Sequence, residues 1–188
     1  MNKNGSIPVL DLLSAVLIVV DVQGQLAENV AEADTRLAKV LTLVEGAKLL
    51  DLPILLTAQA PDKIGHTVSE LTEKLPETLE FPRSSFNIIA DTELFKALER
   101  LSRKQAILCG YEAHICIYQS ALALAAEGYQ VYIVQDAVSS RDLNNKQVAL
   151  SELGKHENIH VLTVEMLLFA LLKDAKLPAF KAVSQLIR

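Results

Sequence analysis

Cys116 stands where the apolar run AILCG passes through GYEAHI into the helical pattern CIYQSALALAAEG. A thiol at a strand-to-helix junction meets unpaired backbone N–H groups and the positive end of a helix dipole, both of which favour thiolate. The expected chemistry is therefore nucleophilic. Asp21 closes the run AVLIVVD and Asp136 closes QVYIVQD, so two carboxylates also fall at strand ends. In a doubly wound sheet, ligands bind beyond the carboxyl ends of the strands, near the point where strand order reverses. Asp21 at that point is placed to exchange protons with a thiol. Cys109 lies inside its apolar run and reads as core filler.

Five runs rich in Val, Ile and Leu supply the strands: Ala15 to Asp21, Pro53 to Ala58, Gln105 to Gly110, Gln130 to Asp136 and Ile159 to Val164. Their lack of polar alternation predicts burial on both faces, as in a parallel sheet. Helical patterns fill the intervals. Thr35 to Leu50 carries one broad apolar stripe. Asp91 is expected to cap TELFKALERLS and Asn144 or Asn145 to cap KQVALSELGKH, with Gly154 at its end. The alternation predicts an α/β fold of three layers, α/β/α, with a doubly wound, mostly parallel sheet in a single domain over residues 1–188. The interval from Ala60 to Ala90, rich in proline and poor in periodicity, reads as a long connection folded over the site. The terminal LPAFKAVSQLIR reads as a final amphipathic helix.

The chain has 188 residues, 51% of them hydrophobic and 5% aromatic, which suits one core of aliphatic side chains. Its net charge of −5, with Lys and Arg scattered singly, leaves no basic stripe for phosphates and argues against nucleic acid. Two cysteines make no disulfide framework, and a reducing compartment follows. The apolar N-terminal stretch IPVLDLLSAVLIVV is interrupted by Asp11 and has no cleavage site after it, so it reads as a strand and not a secretory leader. No apolar segment approaches the roughly 18 residues of a membrane span. A cytoplasmic protein without membrane contact is expected.

Six segments in chain order resemble the isochorismatase-like cysteine hydrolases, especially the isochorismatase-domain-containing branch: IVVDVQ, TAQAPDKIGHT, FPRSSFN, GYEAHICI, DAVSSR and FKAVSQLI. The resemblance implies an α/β/α fold with an Asp, Lys and Cys catalytic set. It makes Asp21 the proton-transfer carboxylate and Cys116 the nucleophile. It implies a non-proline cis peptide at Tyr111 and Glu112, turning the Glu112 and Cys116 N–H groups toward a developing oxyanion. It also implies a homo-oligomer and a small-molecule substrate. Gln23, Gln59 and Phe86, from the similar segments, are candidate substrate contacts.

Arg83 stands where the resemblance expects lysine. A guanidinium keeps the positive charge, but with a pKa above about 12 it passes no proton. Proton traffic then falls to Asp21, with Lys63 a possible substitute from the neighbouring loop. The same departure opens a second reading, a catalytically impaired member that serves as a binding or assembly module. A redox-sensing thiol is a third, short of a resolving cysteine.

No cofactor is called for, and no metal. Asp62 and His66 are four apart, yet Pro61 and Gly65 argue against the helix that would align them. His156 and His160 read as structural or exposed. His114 is two residues from Cys116, on another helical face, which disfavours a Cys and His dyad. Neither G-x-S-x-G nor G-x-G-x-x-G is present at the expected places. The reading is a thiol hydrolase of a small amide, imide or related C–N bond, acting through a thioester.

Overall fold

The computed structural model describes residues 9–188. Six parallel strands form one sheet in the order β3-β2-β1-β4-β5-β6: β1 (Ala15–Val20), β2 (Ile54–Gln59), β3 (Glu80–Arg83), β4 (Gln105–Tyr111), β5 (Gln130–Ser139) and β6 (Ile159–Leu162). The five expected runs are all strands, and β1 is buried throughout its length. Strand order reverses at β1, which pairs with β2 through Val20 and Thr57 and with β4 through Val20 and Gly110.

Successive β1 residues feed two cores. Leu17 and Val19 join Ile107 and Cys109 on one face, under α2 (Ala33–Leu49), α8 (Val164–Leu172) and α9 (Phe180–Leu186). Val16, Ile18 and Val20 join Ala106 and Leu108 on the other, under α5 (Thr92–Leu101) and α6 (Tyr118–Ala126). Strand side chains alternate between faces, so a run apolar at every position must be covered twice. This single three-layer α/β/α domain is the architecture the alternation predicts.

The interval 60–90 is more ordered than its prolines suggest. It holds the short helices α3 (Pro61–Ile64) and α4 (Ser69–Thr72) and the edge strand β3. Four residues containing Pro82 carry too little periodicity to read as a strand, and proline is tolerated because an edge strand need not donate on both sides. The remaining helices are α1 (Gly24–Asn29) and α7 (Leu143–Leu153).

Asp91 caps α5 as expected, accepting from the amides of Glu93 and Leu94 at 3.1 Å. For α7 the cap is Asp142, which accepts from the Asn144 amide at 2.7 Å, and not Asn144 or Asn145. Strand β5 runs three residues past Asp136, to Ser139, with a register shift against β4 between Leu108 and Gly110. The Asp136 carboxylate therefore lies away from the thiol, accepting from the Val164 amide at 2.8 Å.

Candidate active site

Asp21 leaves β1 at the reversal point with φ 54°, a left-handed turn that redirects the chain at the carboxyl end of the central strands. Its amide donates to the Thr57 carbonyl at 3.1 Å and its Oδ1 accepts from Thr57 Oγ1 at 2.9 Å. Its Oδ2 is ion-paired to Arg83 Nη2, with the side chains 0% and 1% exposed. Arg83 is held in turn by Gln59 Oε1 at 2.6 Å and by the Ser85 carbonyl. The guanidinium fork is thus spread over three acceptors on two adjoining strands and the loop after β3.

Cys116 reaches the same point from the other side. After β4 the chain passes Gly110 at φ 113° and Glu112 at φ 27°, then enters a π-helical turn, Ala113–Ile117, that leads into α6. The peptide bonds are all trans among the described residues, so the expected cis bond at Tyr111 and Glu112 is absent, and the two positive φ angles make the reversal instead. A side chain at Gly110 would sit 2.0 Å from the Val20 carbonyl oxygen, which ties this glycine to the close approach of β1 and β4.

The thiol is 4% exposed and lies beside both Asp21 and Arg83. Burial and then the Asp21 carboxylate push its pKa up to about 12, against the downward pull of Arg83. The expectation of a resting thiolate is therefore overturned. Helix-end stabilisation is outweighed because the sulfur sits inside the π-helical turn against a carboxylate, in a place that disfavours charge. Burial also raises the Asp21 carboxyl, with Arg83, Thr57, Cys116 and the Gln59 amide pulling the other way. A carboxylate of raised proton affinity next to a neutral thiol is arranged as base and acid.

Cys116 opens onto a cavity of about 590 Å³ whose walls include Gln25, Leu26, Gln59, Phe86, Glu112 and Arg141. Of the expected substrate contacts, Gln59 and Phe86 are on these walls. Gln23 is not: it is fully buried, its Nε2 donating to the Gln59 and Gly65 carbonyls at 3.0 and 2.6 Å and its Oε1 accepting from the Gln59 amide at 2.6 Å. It ties the end of β2 to Gly65, the residue that closes α3. Glu112, 4% exposed, takes Arg141 Nε at 3.0 Å on Oε1 and lies 3.3 Å from His114 Nδ1 on Oε2.

Sequence reasoning did not single out Thr57, Arg141 or the wall residues of α1. Thr57 has a signal in retrospect, since a polar residue inside the run ILLTAQ pairs in register with the end of β1. Lys63 is exposed on α3 and leaves Arg83 as the cation of the site. Cys109 is wholly buried on the opposite face of the sheet from Cys116, and burial raises its thiol far above the ordinary range. His66 Nδ1 is 2.7 Å from Glu80 Oε1, and no three His, Cys, Asp or Glu side chains converge as a metal set among the described residues.

Comparison with known proteins gives one consistent answer. A secreted isochorismatase effector of Phytophthora sojae is 35% identical over 93% of this chain and 85% of its own. Isochorismatase domain-containing protein 2 of Rattus norvegicus is 32% identical over 93% and 81%. Among solved structures, the MAR1 ribonuclease of Caenorhabditis elegans superposes with a TM-score of 0.88 at 29% identity, covering 95% of this chain and 91% of its own. An octameric Escherichia coli hydrolase of unknown specificity shares the fold at a TM-score of 0.90 and 24% identity, covering 97% and 92%. None of the described helices is long and apolar enough to cross a membrane. The isochorismatase domain model matches residues 15–166, a span that contains Asp21, Arg83 and Cys116 alike, and the chain belongs to the isochorismatase family, with its hydrolase fold.

Proposed function

We propose that the protein is a cysteine-dependent hydrolase of a small-molecule amide, imide or related C–N bond. The observation that carries this reading is the thiol of Cys116 set beside the buried Asp21 and Arg83 pair on the wall of an open cavity at the reversal point of the sheet. Asp21 takes the thiol proton as sulfur bonds to the substrate carbonyl carbon, and the Glu112 and Cys116 amides receive the oxyanion. As that intermediate collapses, the C–N bond breaks and Asp21 returns the proton to the departing nitrogen. A water then gives its proton to Asp21 and adds to the thioester, and the sulfur leaves with that proton restored, yielding the acid. Arg83 transfers no proton. Its charge offsets the negative charge shared by Asp21 and the sulfur throughout.

Gln59 and Phe86 are the substrate contacts in this scheme, with Arg141 at the cavity wall. No cofactor or metal enters it. We assign cytoplasmic residence and homo-oligomeric assembly as part of the same reading. Met166, Phe169 and Leu177, apolar side chains exposed on and beside α8, are available to that assembly. The net charge of −5 favours a small molecule over RNA as substrate.

A panel of small amides, imides and ureido acids, assayed with the wild type and with Cys116→Ala, tests the proposal. Turnover of at least one compound, lost in the variant, is the expected result, with a thioester adduct seen by intact mass. Turnover unchanged in Cys116→Ala removes the mechanism. A folded wild type inert to the whole panel favours the alternative, a family member that has kept the fold as a binding or assembly module.

A further inference from the structure

A second cavity, larger than the one at Cys116, lies elsewhere in the described structure. It holds about 790 Å³ and is walled by residues of α7, the start of α2 and the strands β5 and β6, among them Arg36, Gln135, Leu143, Lys146, Leu150 and Val161. Lys146 belongs to the wall of this cavity and is only 8% exposed. No hydrogen bond or ion pair joins its ammonium to another described side chain, and buried lysines are rarely left so. The other charges of the wall are committed. Arg36 pairs with Glu32 and donates to the Asp136 carbonyl at 3.1 Å, and Lys155 pairs with Glu152 at 2.5 Å. The Lys146 ammonium therefore has no ion-paired carboxylate, Glu32 and Asp136 acting on it only as more distant charges, and it lies beside the apolar surfaces of Leu143, Leu150 and Val161.

We propose that this cavity is a second binding site, separate from the Cys116 cavity, for a small organic monoanion, a carboxylate carried on an apolar body. The Lys146 ammonium receives the carboxylate, Gln135, Gln147 and Ser151 supply hydrogen bonds at the wall, and the aliphatic side chains cover the body. A single free cation matches a carboxylate better than a dianionic phosphate, whose second charge finds no partner there. Burial of the unpaired ammonium, which pulls its pKa down to about 8, is the cost that such a ligand relieves.

Benzoate serves as the probe and inorganic phosphate as the contrast. Acetylation of the full chain by limiting acetic anhydride, read lysine by lysine by mass spectrometry, is expected to slow about tenfold at Lys146 with saturating benzoate, while the exposed Lys181 is unaffected. Calorimetric titration is expected to show one benzoate per chain at this site, lost in Lys146→Met. The wild-type protection experiment stands by itself if that variant does not fold. Unprotected Lys146, or benzoate binding unchanged in Lys146→Met, overturns the site. Stronger protection by phosphate than by benzoate overturns its assignment to a carboxylate.

Discussion

Arg83 and Asp21 form an ion pair that is almost wholly shut off from water, the side chains being 1% and 0% exposed. Such a pair is weak evidence for stability as a whole, but removing one partner strands the other charge in the interior. The lysine expected here would present one ammonium to the same carboxylate. Arginine adds contacts to Gln59 and the Ser85 carbonyl, which fasten the loop after β3 to β2.

Arg83→Met is therefore expected to lower unfolding stability by about 3–5 kcal/mol in urea titrations at neutral pH. Arg83→Lys keeps the charge and loses the fork, and should cost less than half as much. Its turnover on any substrate found should match or exceed that of the wild type, because an ammonium restores a group able to pass a proton. Equal stability of wild type and Arg83→Met would mean that Asp21 is neutral in the folded chain.

The state of the resting thiol is checked by its reactivity. With its pKa pushed up to about 12, Cys116 should react with iodoacetamide more slowly than free cysteine at pH 7, and faster as pH climbs toward that value. The acid limb of kcat/KM should report Asp21, which must be ionised to accept the proton, and it should fall above the ordinary carboxylate range because burial raises that group. Labelling at pH 7 faster than free cysteine would show instead a preformed thiolate.

Five of the six strands were legible, the four-residue β6 among them, because β1, β4 and most of β5 must be apolar at every position to serve two cores. Asp21 and Cys116 were legible for a related reason, as polar residues placed where such runs end. What escaped was short or non-local. The strand β3 has only four residues and its place is set by pairing with β2, not by its own pattern. The direction of the Cys116 shift depended on how closely Asp21 approaches and how little water remains, which no spacing reveals. Asp136 misled because β5 continues past it, its register against β4 shifted between Leu108 and Gly110.

Gly110→Ala tests the strand geometry that brings Asp21 and Cys116 together. The residue has φ 113°, and an added Cβ would lie 2.0 Å from the Val20 oxygen, a backbone atom that cannot step aside without breaking the β1 and β4 pairing. A loss of more than about 2 kcal/mol is expected in urea unfolding, from strain and overpacking together. Because Val20 directly precedes Asp21, whatever fraction folds should also lose turnover. A variant as stable as wild type would show that β4 leaves more room beside β1 than this structure has.

Lys146 gives a prediction about pH that needs no ligand. Folding takes its pKa from the ordinary 10.5 to about 8, so the folded chain gives up this proton more readily than the unfolded chain. Its contribution to stability is complete above 10.5 and is lost as pH falls through about 8, where the folded chain must hold an unpaired charge. Lys146→Met, of similar length and without the charge, should therefore melt a few degrees higher than wild type at pH 7. The gap should close as pH rises from about 8 toward 10.5, because wild type then buries a neutral amine. Thermal unfolding followed by circular dichroism across that range reads both values. A difference that does not change with pH would mean that the ammonium is compensated in the folded chain, with the Glu32 and Asp136 carboxylates that already act on it as the source.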